Sequence, residues 1–129
     1  MSKELWEKGL VVRKEVLGAE YVERNLKTVD DFGMPMQELV TQSCWGWLWT
    51  RPQLPRKMRS LVNIGMLSAL NRGHEFKVHV KGALTNGCTR EEIREVLLQV
   101  AVYCGMPAGV EGFRLAREAF KEYEQEKRT

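Results

Sequence analysis

Apolar residues in this chain recur three and four positions apart, the helical spacing, and the period of two that marks a strand is missing. Ser2 can cap a first helix running to about Val16, with Gly18 placed to end it. Ala19 to about Thr28 forms a short second helix. Asp30-Asp31-Phe32-Gly33 is a turn, and Pro35 suits the first turn of a third helix that carries Trp45, Trp47 and Trp49. Pro52 closes that helix and Pro55 opens a fourth, to about Asn71, in which Met58, Leu61, Val62, Gly65, Met66 and Ala69 fall on one apolar stripe. Gly73 breaks the chain before a fifth helix from about His74 to Asn86, ended by Gly87.

Thr89-Arg90-Glu91-Glu92 is a capping box that starts a sixth helix. Ile93, Val96, Leu97, Val100, Ala101 and Cys104 keep helical period there, and Leu98 and Val102 lie outside the stripe. This helix is therefore expected to be covered on more than one side. After Gly105 and Pro107 a last amphipathic helix runs into a charged tail, Glu124-Gln125-Glu126-Lys127-Arg128, expected to fray. The pattern predicts an all-α fold of about six or seven helices, compact, with residues 1–129 forming one domain. Three clustered tryptophans and a nearly all-round apolar helix are more apolar surface than one small core absorbs, so a homo-oligomer is expected.

Charge narrows the function classes. The net charge is +3 with acids and bases interspersed, which favours anionic small molecules mildly and gives no basic patch for nucleic acid. No basic stretch followed by an apolar run opens the chain, and no segment approaches the roughly 18 apolar residues of a membrane span, so a cytoplasmic address is expected. Cys44, Cys88 and Cys104 are odd in number and widely spaced, which supports neither a disulfide framework nor structural zinc. His74 and His79 stand five apart where helical metal pairs use four, and no metal site is expected.

Three groups of residues could carry chemistry. Glu75, Val78, His79, Gly82 and Asn86 share a face of the fifth helix, with His79 one turn beyond a carboxylate that can orient its ring. The competing reading is a hydrogen-bonded core or interface histidine. Glu38, Gln42, Trp45 and Trp49 form a stripe in which Glu38 could act as acid or base at the end of a dry aromatic face; a solvated first-turn glutamate is the alternative. Arg51, Arg56 and Arg59 crowd the two prolines, and Arg51 adjoins the tryptophans, where a guanidinium fork could grip a carboxylate. Cys104, in Tyr103-Cys104-Gly105, continues an apolar stripe and reads most simply as a small core residue.

Taken together, several ordered segments resemble the carboxymuconolactone decarboxylase family of the alkylhydroperoxidase D-like all-α superfamily. They are Val16-Leu17-Gly18, Trp45-Gly46 with Trp49-Thr50-Arg51-Pro52, Arg59-Ser60-Leu61, and Glu75 with His79-Val80. Gly82-Ala83-Leu84 with Asn86-Gly87, Glu92-Ile93-Arg94-Glu95-Val96-Leu97, and Tyr103-Cys104-Gly105 with Pro107-Ala108 complete the series. The resemblance implies a decarboxylase of aromatic-acid catabolism, needing no cofactor, that acts on γ-carboxymuconolactone in the β-ketoadipate route as a trimer or hexamer. It implies His79 as proton donor, assisted by Glu75 or Glu38, with Arg51 holding a carboxylate and Trp45, Trp49, Tyr103 and Cys104 at the substrate.

Two departures from the family pattern bear on substrate choice. Tyr21, in Gly18-Ala19-Glu20-Tyr21-Val22, stands where close members resemble Gly-Asp-Ala-His-Val. Met106-Pro107-Ala108-Gly109-Val110 stands where they read Val-Pro-Ala-Ala-Asn. The wider superfamily also contains peroxidase-like reductants with a Cys-x-x-Cys four residues before the histidine. Here those cysteine positions hold Arg72 and Glu75, so no dithiol can form. A non-catalytic oligomeric protein that binds small acids is the third reading.

Overall fold

The computed structural model describes residues 2–128. In chain order these form α1 (Lys3–Leu17), α2 (Ala19–Thr28), α3 (Met34–Leu39), a π-helix (Val40–Leu48), α4 (Arg56–Ala69), α5 (Gly73–Thr85), α6 (Arg90–Cys104) and α7 (Met106–Arg128), with no strand among the described residues. The expected all-α architecture is present, and the local signals that predicted it operate as read. Ser2 accepts from the Leu5 N–H at 3.1 Å, and Thr89 and Glu92 close the capping box reciprocally at 3.0 and 2.9 Å. No described helix is long and apolar enough to cross a membrane. Contacts divide the chain into two compact units, Met1–Pro55 and Arg56–Thr129, each with its own core.

In the first unit the segment expected to continue α3 as an ordinary α-helix is a π-helix, in which the Trp49 N–H bonds five residues back to the Cys44 carbonyl at 2.9 Å. It packs on α1 through two glycines. A Cβ on Gly9 would overlap the Thr41 carbonyl oxygen, and one on Gly46 would overlap that of Leu5, so the two backbones touch with nothing between them. The core here is Val12, Val16, Trp45 and Trp49. The two indoles lie on one face, as their spacing predicts, and stack with centroids 4.8 Å apart and planes 29° apart. Trp47 points away and is 55% exposed.

The second unit surrounds Ile64, Phe76, Val80, Ala83, Cys88, Ile93, Leu97, Ala116 and Ala119. Here the structure corrects the sequence reading of α4. Its buried face is Ser60, Ile64 and Ser68, whereas Met58, Val62 and Met66 of the expected core stripe are exposed. Small hydroxyl side chains can face the core because their oxygens find partners: the Asn86 amide donates to Ser60 Oγ at 2.9 Å, and Ser68 Oγ donates to the Ala108 carbonyl at 3.3 Å. α6 is corrected likewise. Leu98 and Val102 are exposed, so its second side is bare in this chain, and Cys104 at its end is exposed rather than core. The C-terminal tail does not fray: α7 runs to Arg128 because its acids meet bases of the neighbouring helices. Lys77 pairs with Glu118 and Glu122, Lys81 with Glu122 and Glu126, and Arg90 with Glu124.

Candidate active site

α4 and α5 are joined by a polar seam. Ser60 and Asn86 form one pair, and one turn along α4 the Asn63 amide nitrogen lies 3.5 Å from His79 Nδ1. If Asn63 donates there, the ring carries its proton on Nε2, the tautomer in which the far nitrogen is a hydrogen-bond donor. His79 is partly buried, and burial lowers its pKa from 6.5 to about 4 against a smaller raising effect from Glu75 one turn away. The resting ring is therefore neutral near pH 7. Glu75 itself is exposed and acts on the ring as a charge.

This arrangement makes acid stability a readout of the histidine. An unfolded chain takes up the imidazole proton below about pH 6.5, but the folded chain refuses it until about pH 4, so acid favours unfolding between the two. Stability from the neutral ring is complete above pH 6.5 and disappears as pH falls toward 4, about 3 kcal/mol over the window. Urea midpoints of the wild type and His79→Gln at pH 7.5 and 4.5 measure it. The wild type should lose more stability than the variant; equal losses would mean the ring is not desolvated.

The other predicted site residues are placed differently. Trp45 and Trp49, at 2% and 3% exposure, are core members of the first unit, packed on Val12 and Val16. Glu38 does not share a dry face with them. It is exposed, on a shallow groove with Trp6, Met34 and Gln42, because the change to π-helical winding after Leu39 breaks the α-helical register joining Glu38 to the indoles. Arg51 is exposed and its guanidinium lies 4.9 Å from the Trp47 ring centroid, a cation–π contact. Tyr103 is 82% exposed and Cys104 is exposed, so neither walls a cavity of this chain by itself.

Sequence reasoning missed Arg13. It is 5% exposed, on the α1 face that carries Gly9, Val12 and Val16, and its Nη1 donates to Gln37 Oε1 at 2.9 Å and Thr41 Oγ1 at 3.1 Å. Burial lowers its pKa, opposed by the Tyr21 phenol and the Cys44 thiol. The signal was legible: a cation four residues after Gly9 and three before Val16 sits at a core position of the helix. Tyr21, the first departure from the family pattern, is thus a neighbour of a buried guanidinium. Burial raises the Cys44 thiol, with Arg13 and a hydrogen bond from Trp49 pulling the other way, so Cys44 is an unreactive thiol at neutral pH.

Residues 35–118 match the model of the carboxymuconolactone decarboxylase family. A nitrosuccinic acid decarboxylase from Metarhizium robertsii is 41% identical over 122 residues, 95% of this chain and 85% of the relative. A 4-carboxymuconolactone decarboxylase from Acinetobacter baylyi is 39% identical over 121 residues, 94% of this chain and 90% of the relative. The chain belongs to the carboxymuconolactone decarboxylase family, and its activity is that of a decarboxylase.

Proposed function

We propose that this protein decarboxylates a small carboxylic acid whose departing carboxylate sits next to an electron sink, with γ-carboxymuconolactone or a related unsaturated lactone acid as substrate and His79 as the proton-handling group. The observation that carries the reading is the partly buried ring of His79, held by Asn63 on the α4–α5 seam and neutral at rest. When the C–C bond breaks, CO₂ leaves and the electron pair moves to the lactone carbonyl oxygen; a proton must then reach carbon. A substrate carboxylate beside His79 raises its proton affinity as Glu75 does, so the ring charges on binding with a proton from solvent. The imidazolium protonates the carbanion and returns to neutral. No cofactor is needed, because the substrate supplies its own sink.

The two relatives define one chemical class. A lactone conjugated to an alkene and a nitro group both delocalise a carbanion onto oxygen, so nitrosuccinate is the natural second substrate to test. Release of CO₂ from the two acids, measured by coupled assay on the purified protein, decides between them. Turnover of the lactone at least ten-fold faster supports the assignment and a place in aromatic-acid catabolism. Turnover of nitrosuccinate alone keeps the chemistry and moves the substrate. Tight binding of both acids with no CO₂ would leave a non-catalytic binder.

The apolar residues that the second unit leaves bare support a homo-oligomer, a trimer or hexamer. Met58, Val62 and Met66 lie four apart along α4 with Leu70 just past its end, and Leu98 and Val102 on α6 and Met106 and Val110 on α7 are bare as well, each at least 45% exposed. Sedimentation at micromolar concentration should give a multiple of the chain mass and Val102→Glu a smaller species; a monomeric wild type would end this proposal. Tyr103, Cys104 and Arg51 would join a site only where another copy covers them.

A further inference from the structure

The geometry points to a second binding site, a groove between α6 and α7 of the second unit that takes a single-ring aromatic carboxylate. The ring lies between Phe113 and Phe120, and the carboxylate lies on Arg94 and Arg117. Both helices face the groove with helical spacing: α6 presents Arg90, Ile93, Arg94 and Leu97, and α7 presents Phe113, Ala116, Arg117 and Phe120. Ala116, a small residue between two phenylalanines, leaves a hollow of about 190 Å³ there. Its floor is apolar, with Ile93, Leu97 and Ala116 each no more than 3% exposed.

The charge around the hollow is unbalanced. Three guanidinium groups line it against one carboxylate, Glu91. Arg90 is held by Glu124 and lies 4.7 Å from the Phe120 ring centroid. Arg94 has its chain neighbour Glu95 at 3.8 Å, beyond hydrogen-bond reach. Arg117 has no carboxylate partner among the described residues; its guanidinium lies 5.9 Å from the Phe113 ring centroid. The nearby acids of α7 are engaged elsewhere, Glu111 by Arg114 and Glu118 by Lys77 and Arg114. Arg90 and Arg94 are like charges one turn apart, a repulsion that an anion relieves. A guanidinium fork takes a carboxylate in two parallel hydrogen bonds, and the two phenylalanines give a third ring edge and face contacts. An inorganic anion leaves the apolar walls unused, and the hollow is smaller than the roughly 300 Å³ at which sites for larger ligands begin. One ring bearing one carboxylate matches both halves of the groove. His79 is on the α4–α5 seam and does not line this groove, so the site is separate from the one proposed for decarboxylation.

Benzoate is the probe, titrated into the full chain by calorimetry. The wild type should bind it with a Kd of about 1 mM or tighter. Arg117→Met should weaken binding about ten-fold or more, the loss of a charged hydrogen-bond pair. Arg117 and Arg94 are both exposed, so the variant should fold, and Arg94→Met is the second variant. Benzyl alcohol, which keeps the ring, and acetate, which keeps the carboxylate, should each bind about ten-fold more weakly than benzoate or worse. His79→Gln should bind benzoate as the wild type does. In wild type ¹³C-labelled at its phenylalanine rings, the Phe113 and Phe120 signals should shift and saturate with the heat, while those of Phe32 in the first unit stay in place. No saturable binding by about 10 mM, unshifted Phe113 and Phe120 signals, or equal affinity in both arginine variants would each overturn the site. Loss of benzoate binding in His79→Gln would overturn it too, by moving the ligand to the α4–α5 seam. Arginine variants that change sedimentation but not benzoate affinity would make the groove a contact between copies of the chain instead.

Discussion

Gly46→Ala should unfold the first unit or cost on the order of 3–5 kcal/mol, far beyond an ordinary added methyl group. The methyl would overlap the Leu5 carbonyl oxygen on α1, with the Thr41 carbonyl oxygen also within 3.3 Å of it. Both are backbone atoms fixed in helices, so no rotamer change relieves the overlap. Either α1 moves off the π-helix, uncovering Trp45, Trp49, Val12 and Val16, or the helix unwinds. Gly65→Ala is the internal control. There the methyl would meet only Val96 Cγ1 at 3.6 Å, an ordinary contact, and alanine is about 1 kcal/mol better than glycine inside a helix. Tryptophan fluorescence against urea reads Gly46→Ala, because all four tryptophans lie in the first unit, and helical circular dichroism reads Gly65→Ala in the second. A Gly46→Ala midpoint within error of wild type would show that the α1 contact is looser than described.

His79→Ala should lower kcat by about 10²- to 10⁴-fold on the decarboxylated acid while helicity and the urea midpoint at pH 7.5 stay near those of the wild type. The separation is possible because the ring is only partly buried, and the core residues of α5, Phe76, Val80 and Ala83, are untouched. Loss of the imidazole removes the group that carries the proton to carbon, whereas the leaving of CO₂ still has the substrate's own sink. A variant that folds and turns over at a near-normal rate would take His79 out of the mechanism. A variant that fails to fold would leave the acid-stability comparison with His79→Gln as the measure of the same ring.

The ends of helices and the partition of the chain into them were readable because they depend on local chemistry. Ser2, Thr89 with Glu92, Gly18 and Pro35 act within one turn of themselves, and each sits at the helix boundary it predicted. The face each helix buries was less readable, since it depends on what lies opposite. α4 presents a cleaner apolar stripe through Met58, Val62 and Met66 than through Ser60 and Ser68, yet the serines are inside because Asn86 and the Ala108 carbonyl complete their hydrogen bonds. The bare stripes on α4 and α6 are the other half of that error.

The site divides in the same way. His79 with Glu75 one turn before it was visible from spacing, and the family pattern pointed to it. That the ring is neutral, and that Asn63 is its neighbour, depends on burial and on a residue 16 positions away. Glu38 was misplaced because the α-helical period was extended through a segment whose hydrogen bonds skip five residues instead of four. Arg13 was overlooked because charged residues are normally assigned to the surface, although its place in the Gly9, Val12, Val16 face already contradicted that.

The amino-acid order alone determined the all-α class, the helix boundaries, the stacked indoles and the family, because propensity, capping and motif order are written in near neighbours. The folded chain decided the π-helical winding against α1, the choice of serine over methionine for the α4 core, the charge state of His79 and the burial of Arg13. Those are outcomes of competition between distant groups for the same space and the same hydrogen bonds, and such competition is settled only when the helices meet.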